Sequence, residues 1–337
     1  MKSILVRERG GVDVLSFTDV PKPKIGRNDI LLKVSAVGVN FADIMQHQGT
    51  YPLQLPLPYT PGMETIGIVE DIGSNVENVN IGERIAAVSF MAGGYAEYVL
   101  IKPEQIIRVP DEISDRHALA LAIQGLTAYL LLNYAAKIRL GESVLVHAAA
   151  GGVGNLLVQI AKLMNAGDVL GTAGTVQKRD RIEDWGVDYA IDYNDSNWHE
   201  DVFKITNGEG VDIILDPVGG SATAQNLSCL AVEGRFVNYG WLSGDYPSLT
   251  PEQCQNLLFK NQSVSGFAVN VVMERHPNLV EAAFQQLFNW VLQGKLKPVL
   301  SADFPLEDAA KAHQAILNRK TMGKVILTLS KRSRCLS

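Results

Sequence analysis

The run His147-Ala-Ala-Ala-Gly-Gly-Val-Gly154 constrains this chain more than any other segment. It joins a β-branched stretch, Ser143-Val-Leu-Val-His147, to a helical pattern from Asn155 to Met164. A glycine-rich turn between strand and helix lets the backbone approach a pyrophosphate, whose charge then rests on the helix N-terminus. Gly151 and Gly154 match the second and third glycines of the dinucleotide fingerprint, with Gly152 and Val153 between them and Ala149 at the first position. The strand before and the helix after supply the context this motif requires, so residues 147–154 read as a nucleotide cradle.

The flanking sequence agrees. From about residue 123 to 266, buried β-branched runs (Asp168–Gly171, Val211–Asp216, Arg235–Tyr239, Ser263–Gly266) alternate with helical stretches. That alternation predicts an α/β fold, a doubly wound parallel sheet with helices on both faces, and so a Rossmann domain over 123–266. Residues 1–122 read instead as β-rich. Short runs such as Ile30–Ser35, Thr65–Glu70 and Tyr95–Leu100 are punctuated there by Gly, Pro and Asn. After Gly266 comes a helical stretch, Asn278–Gly294, with Leu279, Val280, Ala283, Leu287, Val291 and Leu292 on one face. β character then returns at Lys297–Leu300 and Lys324–Thr328, so residues 267–337 are expected to rejoin 1–122 in one discontinuous domain.

A dinucleotide fold that prefers NAD carries Asp or Glu about 20 residues beyond the glycines, to bind the ribose 2′-hydroxyl. Here that strand ends Leu170-Gly-Thr-Ala-Gly-Thr175, with no acid, and Gln177, Lys178 and Arg179 follow. Hydroxyls and cationic donors suit a 2′-phosphate, so NADPH is the expected cofactor. Trp241, after Tyr239-Gly240 at the end of a parallel strand, stands where doubly wound sheets bind ligands, whereas Met63, Trp185 and Trp198 read as packing residues.

Charge and cysteine usage narrow the field. The 337 residues carry a net charge of −6, with no basic run outside the tail Lys331–Arg334, so nucleic acid is not an expected partner. Cys229, Cys254 and Cys335 form no C-x-x-C spacing, and Met1–Gly10 lacks a signal-peptide apolar stretch. A reducing, cytoplasmic setting is expected. Ala118–Ala136 is uncharged and near the roughly 20 residues of a membrane span. Gln124, Gly125, Thr127 and Asn133 interrupt it, which predicts a buried helix pair at a domain junction and no membrane insertion.

Beyond the cradle, the chain carries Gly38-Val-Asn-Phe-Ala-Asp43, Gly49-Thr-Tyr51, Pro61-Gly-Met-Glu64, Gly82-Glu-Arg84, Gln124–Tyr129, Gly210–Gly220 and Gly323-Lys-Val-Ile-Leu327, in that order. With the cradle, these resemble the zinc-independent quinone oxidoreductases of the medium-chain dehydrogenase/reductase superfamily, most closely its vesicle amine transport protein-like branch. The resemblance spans nearly the whole chain. It implies a GroES-like β domain beside the Rossmann domain, with cofactor and substrate in the cleft between them. It also implies a homodimer, which an edge strand around Phe267–Val271 would extend.

Zinc is the discriminating question, because related alcohol dehydrogenases hold a catalytic metal through Cys, His and a third ligand. Aligned by motif, those first two positions are Asn40 and Met63. No cysteine precedes Cys229, and the six histidines form no ligand-spaced pair in sequence. The resemblance further implies that Phe41, Ala42, Asp43, Ile44 and Met45 lie beside the nicotinamide, and Thr127 near the cofactor phosphates. It sets Gly174, Thr175 and Lys178 at the 2′-phosphate and Tyr193 near the adenosine. Gly240, Gly266, Phe267, Ala268, Val269 and Arg319 match further cofactor contacts. Asn40, Asp43 and Tyr51 match the polar residues of the substrate cleft, while the Arg common two residues before Gly49 is His47 here.

Without a metal, the chemistry reduces to hydride delivery to an electron-poor acceptor, a quinone or an α,β-unsaturated carbonyl, with the protein orienting both partners. The oxygen that gains charge needs preorganised donors, for which Asn40 and Tyr51 are the candidates. Two other readings stay open: a 2-enoyl thioester reductase, and an NADPH-binding regulatory or scaffold protein with little turnover.

Overall fold

The computed structural model describes residues 1–329, and the basic run Lys331–Arg334 and Cys335 lie outside the described residues. The chain forms two compact units, one of Met1–Ile123 with the chain from Leu300, the other of Gln124–Val299.

The first unit is built on a mixed sheet. Its strands run in the order Leu300–Pro305, Lys324–Thr328, Ile30–Val39, Glu64–Ile72, Arg84–Val88, Ile106–Arg108, with Tyr98–Ile101 also paired to Ile30–Val39. All pairs are antiparallel except the first, Leu300–Pro305 with Lys324–Thr328. Ile30, Leu32, Val37, Ile85, Ile101, Val325 and Leu327 are buried in one core, as expected for the apolar faces of short alternating strands. Antiparallel pairing brings the end of Ile30–Val39 against the starts of two neighbours, with Gly38 opposite both Glu64 and Ile326. That convergence positions the polar cluster described below. Asn40 then caps the helix Phe41–Gln48, which Gly49 ends in a left-handed conformation, φ 78°.

The second unit holds a six-stranded parallel sheet of Val144–Val146, Val169–Ala173, Tyr189–Asp192, Val211–Asp216, Leu230–Asn238 and Ser263–Gly266. Counted along the chain, the strands lie in the order 3-2-1-4-5-6, the dinucleotide-binding order. The central strands are buried on both faces (Val144, Leu145, Val146, Ile213, Ile214, Leu215), so they read as continuous apolar runs rather than alternating ones.

Four expectations need correction. The second unit continues past 266 to Val299. The reason is the helix Pro277–Leu292, whose apolar face buries Val280, Ala283, Phe284, Leu287 and Phe288 while Trp290 packs against Tyr129 at 5.9 Å. Phe267–Val271 is not a strand, because a helix runs from Val269 to Arg275, with Val269 and the buried Val272 on one face. The strand expected at Lys297 starts only at Leu300. The expected helix pair is one helix, Asp115–Ala135, in which π-helical turns at Leu121–Gly125 and Leu131–Ala135 absorb the polar interruptions without breaking it. Among the described residues it is the one helix long and apolar enough to cross a membrane, and 72% of its apolar window is buried within the fold.

Candidate active site

In the second unit the cradle lies at the end of Val144–Val146, the strand where the sheet order reverses. Ala148 adopts a left-handed conformation, φ 52°, and its carbonyl accepts from Gly151 N–H at 2.8 Å as the helix Gly152–Leu163 begins. The turn is stitched to the second strand by Ala149 N–H donating to Thr172 O at 3.1 Å and Ala148 N–H to Thr172 Oγ1 at 3.3 Å. A Cβ on Gly154 would stand 2.3 Å from Ala148 O and 2.7 Å from Ala149 Cα, so only glycine closes this turn. No side chain caps the helix, and its first N–H groups lack intrahelical partners. A cradle that a single Cβ would fill, opening on uncapped donors, fits a dinucleotide pyrophosphate.

A buried network behind the cradle, absent from the sequence reading, locks the strand ends together. His147 faces Asn226 Oδ1 at 2.6 Å through Nε2 and Thr172 Oγ1 at 3.2 Å through Nδ1. Asn226 Nδ2 donates to Asp216 Oδ2 at 3.2 Å, and Asp216 accepts from the backbone of Val218 and Gly219. Because Asn226 Oδ1 can only accept, Nε2 carries the imidazole proton and Nδ1 accepts from Thr172.

The second strand ends at Ala173 without an acid. Thr175 caps the helix Val176–Asp184 by accepting from Lys178 N–H at 3.3 Å. Arg179 pairs with Asp192, at the end of the third strand, at 2.7 Å, which occupies one of the two cations expected here. Asn194 donates to Gly174 O at 2.6 Å beside Tyr193. On the far half of the sheet, Asn238 Nδ2 donates to Gly240 O at 2.9 Å, the Trp241 and Tyr246 rings meet tilted with centroids 5.2 Å apart, and Phe267 N–H donates to Asn238 O at 2.9 Å. Residues 151–154, 174–178, 193, 240–241 and 266–269 therefore all lie at or beyond the C-terminal ends of parallel strands. Thr127 is buried in the helical turn Leu126–Leu130.

The first unit carries the remaining candidates. Asn40 and Asp43 come together, because Asn40 N–H donates to Asp43 Oδ2 at 2.8 Å. Asp43 is fully buried, and desolvation, reinforced by Glu64, pushes its carboxyl up to about 7 against the opposing backbone hydrogen bond from Asn40. Burial, with the Asp43 charge as a second cause, raises the half-buried Tyr51 hydroxyl above the ordinary phenol value, so at neutral pH it is a donor. Phe41 and Ala42 are half-buried, Ile44 and Met45 face the core, and Arg319 is exposed after the helix Ala309–Leu317.

Two charged residues and a histidine complete this cluster although the sequence reading gave them no role. Lys324 and Glu64 are fully buried and pair with each other. Lys324 Nζ also donates to Asn40 Oδ1 at 3.0 Å, and Asn40 Nδ2 donates to Glu64 Oε1 at 2.8 Å. The signal was a Lys opening an apolar strand and a Glu opening another, since charges at such positions are buried only when paired. His47 meets His313 across the core, and burial lowers the pKa of both, to about 3 for His313. His47 therefore does not reproduce the permanent charge of an Arg. Arg9 brings one nearby, donating to Gln46 O at 2.7 Å with its guanidinium over the Tyr59 ring at 5.2 Å. Among the described residues no three His, Cys, Asp or Glu side chains converge as a metal site.

The Alcohol dehydrogenase GroES-like domain family matches residues 26–111, and the Zinc-binding dehydrogenase family matches residues 185–327. The chain is 33% identical over 331 residues to a quinone oxidoreductase of Sus scrofa, covering 98% of each sequence. It is 32% identical over 342 residues to the human synaptic vesicle membrane protein VAT-1 homolog, covering 97% of this chain and 86% of that one. Among solved structures it resembles the Escherichia coli quinone oxidoreductase complexed with NADPH, with a TM-score of 0.90, 30% identity and coverage of 97% and 100%.

Proposed function

The chain belongs to the quinone oxidoreductase branch of the medium-chain dehydrogenase/reductase superfamily, and on that premise we propose that it reduces quinones or α,β-unsaturated carbonyls with NADPH, without zinc. The observation that carries this reading is the uncapped glycine cradle at the reversal of a 3-2-1-4-5-6 sheet, whose second strand ends without an acid. When bound, NADPH supplies a hydride.

Gly151, Gly152, Val153 and Gly154 would hold the pyrophosphate, and Gly174, Thr175, Lys178 and Tyr193 the 2′-phosphate and adenosine. Gly240, Trp241 and residues 266–269, at strand ends of the same sheet, would line the rest of the cofactor. Asn40 and Tyr51 would donate hydrogen bonds to the substrate oxygen as it gains negative charge. Asp43 would fix the backbone at Asn40. The same reading makes the protein a cytoplasmic homodimer.

The test is NADPH consumption, followed by absorbance, across quinones, enones and 2-enoyl thioesters. Turnover of quinones or enones is expected. Turnover confined to thioesters would replace the substrate class, and tight NADPH binding with no oxidation by any acceptor would replace the enzyme by a cofactor-binding partner protein.

A further inference from the structure

We infer that Lys324 and Glu64 are positioning residues that orient and polarise the Asn40 carboxamide, an inference that rests on the reading of Asn40 as a donor to the substrate oxygen. The three side chains meet where three neighbouring strands bring their ends together, at the last residues of Ile30–Val39 and the first of Glu64–Ile72 and Lys324–Thr328. Both charged side chains are fully buried and Asn40 nearly so. Room for them is reserved in the backbone. A Cβ on Gly38 would stand 2.3 Å from Glu64 Oε1 and 2.6 Å from Lys324 Cε, so the strand carries glycine where the ion pair crosses it.

Donor and acceptor roles allow one arrangement. An ammonium only donates, a carboxylate only accepts, and a carboxamide does one at each end. Lys324 Nζ holds Asn40 Oδ1 at 3.0 Å, and Glu64 Oε1 holds Asn40 Nδ2 at 2.8 Å. Turning the amide over would set its NH2 against the ammonium and its oxygen against the carboxylate, so the flip is opposed at both ends. Glu64 is itself held, because Oε2 accepts from Ile123 N–H at 3.0 Å.

Orientation is one consequence and polarisation the other. A cation bonded to the amide oxygen draws electron density from nitrogen, which strengthens its N–H groups as donors in a medium of low dielectric. A buried ion pair adds little stability over apolar residues of the same volume. What the pair supplies here that apolar residues could not is a fixed, polarised amide.

The experiment compares full-length Asn40→Ala, Lys324→Met, the neutral double variant Glu64→Gln/Lys324→Met, and Asn40→Ala/Lys324→Met. Each is read as kcat and KM with one quinone, beside an NADPH titration. Lys324→Met leaves Glu64 unpaired and could fail to fold, whereas the neutral double removes both members of the pair and strands neither. Both are expected to lose about tenfold to a hundredfold in kcat while KM and NADPH affinity stay within about twofold, the pattern of an interaction used in the transition state. Adding Lys324→Met to Asn40→Ala should cost no more than about a further twofold, because the lysine acts through the amide. Wild-type turnover in Asn40→Ala would overturn the donor reading and this one with it. A slow Asn40→Ala beside a neutral double with wild-type kcat would overturn the positioning role alone, as would Lys324→Met and Asn40→Ala losses that multiply.

Discussion

His47 Nε2 and His313 Nδ1 lie 3.2 Å apart in the core of the first unit, with their rings stacked 24° from parallel. Each neighbour fixes a proton. The Gly10 carbonyl, 2.9 Å from His47 Nδ1, can only accept, so that nitrogen carries the hydrogen. A neutral His47 then accepts from His313 at Nε2, and a neutral His313 accepts from the Tyr95 hydroxyl, 2.9 Å away. The chain of donors is satisfied with no charge on either ring, in keeping with the burial that lowers both pKa values.

A pH prediction follows, with two opposing signs. His313 titrates near 6.5 when unfolded and near 3 when folded, so the unfolded state binds more protons between those values and the stability present above 6.5 is lost as pH falls. Asp43 is raised from 3.8 to about 7, so its contribution is present below 3.8 and lost as pH rises through 7. Between pH 8 and pH 5 this is a loss of about 2 kcal/mol for His313 and a gain of about 3 kcal/mol for Asp43. Urea unfolding at pH 8 and pH 5 should therefore show wild type losing ground to His313→Gln, and gaining on Asp43→Asn, as pH falls. Differences that do not move with pH would reject the assignments.

The sheet of the second unit was legible because its period, its glycine turn and its missing acid are local. The edge strand expected around Phe267–Val271 rested on continuing the sheet beyond Gly266 in a homodimer, and Val269 and Val272 instead share a helix face. The cluster of the first unit was half legible. Asn40 and Asp43 are three residues apart on a helix start, but Glu64 and Lys324 reach Asn40 only through antiparallel pairing across widely separated sequence, which no local pattern encodes. His47 and His313 likewise form no spaced pair in sequence and meet only in the fold.

Lys178 should decide between the two nicotinamide cofactors. Gly174 and Thr175 follow the second strand where an acid would repel a 2′-phosphate, and Arg179 is engaged with Asp192. A charge-assisted bond from Lys178 contributes about 1.5–3 kcal/mol. Lys178→Ala should weaken NADPH roughly tenfold to a hundredfold in a fluorescence titration and leave NADH nearly unchanged. Equal losses for both cofactors would remove Lys178 from the 2′-phosphate site.

A homodimer should form through the edge of the parallel sheet. Ser263–Gly266 is paired on one side only, and the neighbouring helix exposes Leu258 and Phe259 at 72% and 76%. Unpaired edges next to apolar surface invite association across a two-fold axis. Sedimentation at micromolar concentration should find a dimer, and Leu258→Asp/Phe259→Asp should shift it toward monomer. A monomeric wild-type protein would contradict the assembly.

Zinc should be dispensable. Asn40 and Met63 hold the positions where related dehydrogenases place ligands, and Asn40 is engaged by Lys324 and Glu64. Turnover should survive chelation, and elemental analysis should find no stoichiometric metal. One tightly held zinc per chain, with activity lost on its removal, would refute this.

Tyr51 should act on turnover more than on cofactor affinity. Its hydroxyl lies in the segment that follows the helix Phe41–Gln48, where Tyr51 N–H donates to Met45 O at 3.2 Å, and burial keeps it protonated beyond the ordinary phenol range. A donor aimed at developing charge lowers the barrier more than it aids ground-state binding. If Tyr51 is that donor, Tyr51→Phe should lose about 2.7–4 kcal/mol of transition-state stabilisation with an enone, a hundredfold or more in kcat. A quinone should suffer less, because its reduction leaves an aromatic product that needs less help. Tyr51 itself should add no change in the wild-type kcat up to about pH 9, since it titrates above its ordinary value of about 10, so a change near pH 7 belongs to Asp43. Equal losses for both acceptors would point to a packing role for the ring, and a large loss of NADPH affinity would make Tyr51 a cofactor-positioning residue instead.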